Sequence, residues 1–359
     1  MVNSHYIPQF ILRSFCKDNK ITYCDLDKKT VELRNTRSVF AEKGYYPEQT
    51  EVDLCKKIEY EFSVLYHNKL ENPGGSIVLS ENELFLLKKY LIVSAIRFQI
   101  EYTEFDLQLL DILGESFRFD LVKSLNKVLQ AKDSKDLFMI ISEHYTMDSL
   151  KKMVENPKQA DEDANIHLWA EAKDILHSYV VFIRAAGSEK FIIPDTARGI
   201  FEGPMSRRKI NGMIDEMVLK RNPICAQIAG MLTPHDYTIY PLTSDIAILS
   251  MSVFFKFFTE SEIKMNVILP PDCPTVSSIL GFGSKNDINP PKVRIVQGKK
   301  EYRYEVNRLN SNDISHFNCL MMAEAKHHIA FADAEGITRS LDRIKKYTDR
   351  DYAFIHGKV

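Results

Sequence analysis

The sequence predicts an α+β fold with a helical central region, a small N-terminal β-hairpin and a strand-rich C-terminal half, and three observations carry that expectation. Between Glu51 and about Ile175 apolar residues recur at three- and four-residue spacing, as in Val52, Cys55, Ile58, Phe62 and Leu65, which gives one buried helical face. From His177 onward the period shortens. Runs such as Tyr179-Val180-Val181-Phe182-Ile183 and Ile246-Ala247-Ile248-Leu249 are brief, β-branched and set between turn residues. Near the start, Ile21 to Leu26 and Thr30 to Arg34 flank the polar Asp27-Lys28-Lys29 as the arms of a hairpin do. The chain therefore divides into residues 1–50 (helix, hairpin and loop), a helical region 51–176 and a strand-rich α+β region 177–359. With 359 residues these are expected to interlock as one unit rather than stand as separate small cores.

Taken in order, Pro8 suits the first position of a short helix, and Phe10, Ile11, Leu12 and Phe15 give it an apolar side. Gln9 and Arg13 are four apart and share a face, with His5 just before the first turn. After the hairpin, Arg34, Arg37 and Lys43 lead into Gly44-Tyr45-Tyr46-Pro47, where cations and aromatics crowd as they do in loops that stack bases or touch phosphates; packing of the tyrosines on the helix is the plainer reading. Asn72-Pro73-Gly74-Gly75 ends the helix from Glu51, and Ser80 with Glu83 forms a capping box that opens a long helix containing Arg97. Further helices are expected over about Asp106 to Gln130, Lys135 to Ile141, Met147 to Val154 and Ala164 to Ile175. Beyond them, Lys190 to Ile193 and Tyr237 to Tyr240 read as strands, and Lys209 to Met231 as helical or irregular. Pro270 to Lys292 collects Pro, Gly, Ser and Asn, as long loops do, and a strand at Lys292 to Val296 follows it. A helix at Asp313 to Glu324, a strand at Ile329 to Phe331 and a charged helix from Ile337 to Tyr347 close the chain.

Bulk properties exclude several classes. A hydrophobic fraction of 45% and a charged fraction of 27% belong to a folded globule, and a net charge of -2 denies the chain an overall basic field while leaving room for a local one. The apolar run Ile246 to Phe258 falls short of the ~20 residues that span a bilayer, and Met1 to His5 lacks the features of a secretory signal. The six cysteines contain no C-x-x-C pair, so they read as reduced thiols of a cytoplasmic protein with no membrane partner.

The opening His5-Tyr6-Ile7-Pro8-Gln9-Phe10-Ile11-Leu12-Arg13-Ser14-Phe15 resembles the start of an uncharacterised prokaryotic family, domain of unknown function 4238. The hairpin with Tyr45-Tyr46, Glu51 to Glu59, Ile96-Arg97, Phe191 to Asp195, Ile239 to Thr243 and the stretch from Asn310 resemble its later blocks. Pro194-Asp195-Thr196-Ala197 departs from that family's Ser-Asp-Asn-Pro, and Pro270 to Lys292 has no counterpart. The resemblance implies a fold without naming a reaction, and the family's patchy prokaryotic spread suggests antiviral defence.

The polar residues of those blocks form the candidate site. His5, Glu59 and Asp195 are the candidate catalytic residues, and Gln9, Arg13, Arg37 and Arg97 the candidate ligand-binding residues. Arginines can hold a phosphate while a histidine or carboxylate moves a proton, and the same set can equally form a buried structural network. Two metal arrangements arise, making a divalent metal ion a candidate cofactor. One is Pro194-Asp195 with Glu262-Ile263-Lys264 or Glu324-Ala325-Lys326, a nuclease-like pattern; the other is Glu324, His327, His328 and Asp333. Gly281-Phe282-Gly283-Ser284-Lys285 lacks the spacing of a phosphate loop, and neither a nucleophile elbow nor a dinucleotide fingerprint occurs. The expected function is action on a nucleic acid or nucleotide phosphate by a cytoplasmic prokaryotic nuclease-like enzyme or defence effector. The alternative is a non-catalytic binding or scaffold module, and a protein partner or second copy of the chain fits either.

Overall fold

A computed structural model describes residues 3–45, 47–97, 121–142, 172, 175–176, 178–201, 237–251 and 292–355. The expected helices over 106–120, 147–154 and most of 164–175, the stretch 209–231, the loop 270–291, Gly281 to Lys285 and Glu262 to Lys264 lie outside these residues.

The chain begins with β1 (Asn3–His5), α1 (Gln9–Arg13), the hairpin β2 (Ile21–Asp25) and β3 (Thr30–Arg34), and β4 (Ala41–Lys43). Pro8 stands one position earlier than expected, as the residue that caps α1, with φ -58° and ψ 140°. Its extended ψ turns the chain out of β1 and starts the helix at Gln9. β1 pairs antiparallel with β4, His5 opposite Ala41, so the opening block is clamped against the loop that carries Arg37 and Tyr45.

Next, α2 (Glu48–Leu54) runs through a π-helical turn at Cys55–Glu59 into α3 (Tyr60–Leu65) and a second π-helical turn at Tyr66–Leu70. β5 (Ser76–Ser80) leads to α4 (Glu81–Arg97) through the expected capping box: Glu83 N–H donates to Ser80 Oγ at 3.3 Å, and Ser80 N–H to Glu83 Oε2 at 2.8 Å. Every residue of α4 from Leu87 to Arg97 except Lys88 is buried, so the helix is an internal rod rather than a surface stripe. Lys88 donates to the carbonyls of Leu176 and Ser178, and Lys89 to those of Leu129 and Ala131, at 2.6–3.1 Å. The Lys89 pair cap the C-terminal end of α5 (Leu121–Gln130), where carbonyls lack helical partners. Burial pushes the Lys88 ammonium down to about 8. α6 (Ser134–Ser142) follows α5.

The strand-rich half builds β6 (Tyr179–Ala185), β7 (Ile193–Pro194), β8 (Gly199–Phe201), β9 (Tyr237–Pro241), β10 (Ile246–Met251), β11 (Lys292–Val296), β12 (Lys299–Leu309), α7 (Ser311–Glu324), β13 (His328–Phe331) and α8 (Thr338–Arg343). Seven strands form one sheet in the order β11-β12-β6-β10-β9-β8 with β5 also on β12, all antiparallel except β12 beside β6. β9 and β10 are buried at every residue, which explains why apolar residues fill both strands apart from Thr238 and Ser250. The second sheet, β3-β2-β13-β7, joins Tyr23 near the start to Ala330 near the end of the described chain, so the N- and C-terminal regions share one hydrogen-bonded layer. Asn310 caps α7 by accepting from the N–H groups of Asn312 and Asp313. α7 then packs on β8, where a Cβ on Gly199 would stand 2.8 Å from Met321 N, so only glycine allows that approach.

Two expected elements are cut short. Of Lys190 to Ile193 only Ile193 enters a strand, because Lys190, Phe191 and Ile192 spend their backbone groups on Gly336, Ser244 and the Asn318 side chain. The closing helix is confined to α8 between two 3-10 turns, Glu335–Ile337 and Ile344–Lys346. Buried Glu189 fixes its start by accepting from Arg339 N, Ser340 N and Ser340 Oγ.

Candidate functional site

Four of the seven candidate residues meet where β1, α1, the α2–α3 helix and the last turn of α4 converge. Arg97, with 2% of its side chain exposed, donates from Nη2 to Glu59 Oε1 at 2.6 Å. Glu59 keeps 21% of its side chain open, and the π-helical turn that it ends is a local rewinding of the kind that concentrates at functional positions. Tyr45 donates from its hydroxyl to the Arg97 carbonyl at 3.1 Å, which fixes the loop of residues 41–45 against the end of α4.

His5 is half-buried at the end of β1, and Gln9 Nε2 lies 3.3 Å from its Nε2. An amide nitrogen donates, so His5 Nε2 accepts and the ring's own proton sits on Nδ1. Burial lowers the His5 pKa below its ordinary value; backbone contacts with Arg37 and Thr36 and the charge of Glu59 pull the other way without reversing it. The ring is thus a neutral base.

Glu51, in the first turn of α2, completes the cluster and was not anticipated. Its pKa is raised, chiefly by burial, against the lowering effect of Arg97; Glu59 pushes further upward, while Ser4 and the His5 backbone lower it. Ser4 and the backbone of His5 both lie against this carboxyl. Ser4 Oγ and Glu51 Oε2 are sealed from solvent with no hydrogen-bond partner among the described residues. An orphaned buried carboxyl oxygen is costly and needs a reason.

The other three candidates lie elsewhere. Arg13 is exposed on α1, and Arg37 is exposed on the 3-10 turn Thr36–Ser38, where its backbone touches His5. Asp195 follows β7 and accepts three backbone N–H groups, from Lys326 at 2.9 Å, His327 at 2.7 Å and His328 at 2.8 Å. It therefore comes beside the Glu324-Ala325-Lys326 segment of the nuclease-like pattern, but both carboxylate oxygens are spent on pinning the chain before β13. A row of rings, Tyr45, Tyr6, Phe40, Tyr23 and His328, with neighbouring centroids 5.0–5.9 Å apart, runs between the two places.

At the far end of that row His328 stands between Asp25 (3.7 Å) and Asp195 (3.8 Å), while His327 pairs with Asp27 at 2.6 Å and Asp333 with Lys17 at 3.0 Å. The second metal arrangement, Glu324, His327, His328 and Asp333, is thus dispersed over separate partners. No group of three or more metal-ligating side chains occurs among the described residues. Burial lowers the His328 pKa despite Asp195 and Asp25. His5 and His328 both favour the neutral ring in the folded protein, so their stabilisation is complete above the unfolded value of 6.5 and is lost as pH falls from there through their lower folded values. The melting temperature is expected to drop between pH 7.5 and 5.5, and His328→Asn to flatten that slope. A wild-type melting temperature that rises over the same interval would contradict the sign.

With this geometry in place, comparison with known proteins decides the family. The family model described as Protein of unknown function (DUF4238) matches residues 3–335. The chain belongs to that family. The match takes in β1 with His5, the helices carrying Glu51, Glu59 and Arg97, and Asp195, so the whole cluster lies inside the DUF4238 region. Searches of curated proteins and of solved structures found no match. In this DUF4238 member no described helix is long and apolar enough to cross a membrane, and the described cysteines, Cys16, Cys24, Cys55 and Cys319, are free thiols.

Proposed function

We propose that this DUF4238 protein is a phosphoester hydrolase acting on a nucleic acid or nucleotide, with its site at His5, Gln9, Glu51, Glu59 and Arg97. The observation that carries the reading is the orphaned carboxyl oxygen of Glu51, held beside a buried arginine and a neutral histidine. An acid biased toward its protonated form and a base biased toward its neutral form, pushed apart by one environment, make a working acid–base pair. Water displaces the Gln9 amide from His5 Nε2 and gives its proton to that nitrogen as the water oxygen bonds to phosphorus. Glu51 gives its proton to the departing oxygen as the ester bond breaks. Arg97, aimed by Glu59, faces the phosphate charge, and Gln9 sets the His5 tautomer. Asp195 plays no part in this reaction. The cytoplasmic, prokaryotic and defence settings belong to the same proposal and rest on the thiols and the family resemblance.

His5→Ala and Glu51→Gln should each lower hydrolysis of nucleotides or oligonucleotides by roughly 10²–10⁴-fold, the usual worth of a proton-transferring group. Both variants should stay folded by circular dichroism. Undiminished cleavage by either folded variant would sink the proposal.

One observation favours a second reading, a binding or scaffold module with a closed network. Arg97 is almost wholly buried and already committed to Glu59. On that reading the His5 and Glu51 variants lose stability and no activity exists to lose.

A further inference from the structure

β11 pairs with the first half of β12, and because β5 flanks β12 on its other side at Glu301 to Arg303, the hairpin stands as a free two-stranded ribbon only at its tip, residues 295–300. All five residues of β11 are exposed, and the chain reverses at Gln297-Gly298, both at positive φ (49° and 77°), a turn that matches the twist of a free hairpin. Within residues 292–303 lie Lys292, Arg294, Lys299, Lys300 and Arg303 against the single acid Glu301, in a chain whose net charge is -2. Positive charge is therefore concentrated here.

Register sorts the ribbon into two faces. Pairing of Lys292 with Arg303, Arg294 with Glu301 and Val296 with Lys299 puts four cations on one face. Val293, Ile295, Lys300 and Tyr302 share the other, and Ile295 is 75% exposed. Lys292 directly opposite Arg303 is a like-charge pair that weakens a hairpin unless an anion sits over it. Lys292, Arg294, Lys299 and Lys300 form no salt bridge among the described residues, and Arg303 reaches Glu305 only at 3.9 Å. Lys292 and Arg294 are two residues apart on an extended strand, hence ~7 Å apart along one face.

We infer that this ribbon is a duplex-DNA-binding arm that lies in the major groove, its cations on the phosphates and its β-branched tip against the base edges. It rests on the phosphate reading above and specifies the substrate as double-stranded DNA. The two-stranded tip, residues 295–300, fits the ~12 Å major groove with the cations of the wider base left to the flanking phosphates, whereas the deep, narrow groove of duplex RNA excludes it. The arm is separate from the hydrolytic cluster: it pairs with β5 at the start of α4, Glu301 opposite Ser80, while Arg97 ends that helix about 24 Å away at 1.5 Å per residue.

The test is fluorescence anisotropy of the full chain with a 20-base-pair DNA duplex across a salt series, using the variant Arg294→Gln/Lys299→Gln/Lys300→Gln and the apolar variant Val293→Ser/Ile295→Ser. Wild type should bind with a steep salt dependence. The triple variant should bind at least tenfold more weakly and lose about 2.7 from the slope of log K against log salt, at about 0.9 per phosphate contact released. The apolar variant should weaken binding without changing the slope. Hydrolysis of a mononucleotide by the triple variant should match wild type, so an inactive His5 cluster and a non-binding ribbon give different results. Absence of duplex binding, an unchanged slope, or capture of anionic phosphatidylserine vesicles or an acidic peptide in preference to the duplex would each overturn the inference.

Discussion

Arg97→Met is expected to lower stability by about 3 kcal/mol and the melting temperature by roughly 5–10 °C. Removing one partner of a buried ion pair costs about 3–5 kcal/mol because the other charge is left without compensation. Glu59 retains a fifth of its side chain in water, which places the loss at the lower end. The double variant Arg97→Met/Glu59→Leu should recover much of that loss, because it removes both charges and fills the space with apolar groups. A cycle in which the two single effects simply add would show that the pair is not coupled. Lys89→Met would not be rescued in this way, since the carbonyls it caps cannot be removed.

Asp195→Ala is expected to cost about 4 kcal/mol, from three part-buried backbone N–H groups that lose a charged acceptor worth about 1.5–3 kcal/mol each. Asp195→Asn keeps part of the acceptor and should lose less. Thermal denaturation reads the total, and hydrogen exchange at the amides of residues 326–328 localises it. A loss under 1 kcal/mol with unchanged exchange would mean that β13 does not depend on this carboxylate. The effect is large because the same turn joins the two ends of the chain, β13 bridging β2 and β7.

Asp195 also shows where sequence reasoning reaches its limit. A carboxylate after proline in an otherwise apolar block looks available for chemistry, yet its three donors lie 131 to 133 positions further on, and no local pattern announces them. Glu51 illustrates the reverse. A glutamate in the first turn of a helix reads as a solvated charge favoured by the helix dipole, and only the packing of β1 across it leaves one of its carboxyl oxygens buried and without a hydrogen-bond partner among the described residues. His5, Gln9, Glu59 and Arg97 were legible because each is polar on a segment whose neighbours are built for burial. Arg13 and Arg37 share the block but not the packing, and spacing along α1 could not say which side of so short a helix faces inward. Among the described residues, helices α1 to α7 and strands β2, β3, β6, β9, β10, β11 and β13 followed from period and caps, as Ser80 with Glu83 illustrates, whereas β1, β4, β5, β8 and β12 did not. The breaks at Lys190 to Ile192 and after Arg343 did not, because long-range backbone and side-chain partners decide them.

The most direct test of the central claim, that the His5–Glu51–Arg97 cluster receives a phosphate, is thermal unfolding of wild type and His5→Ala titrated with inorganic phosphate, nucleoside monophosphates and a short oligonucleotide. A ligand at a hundred times its dissociation constant stabilises the folded state by about 2.7 kcal/mol. Wild type is predicted to rise in melting temperature with at least one of these probes and His5→Ala to respond far less. Equal shifts in both proteins, or none in wild type with any probe, would contradict it.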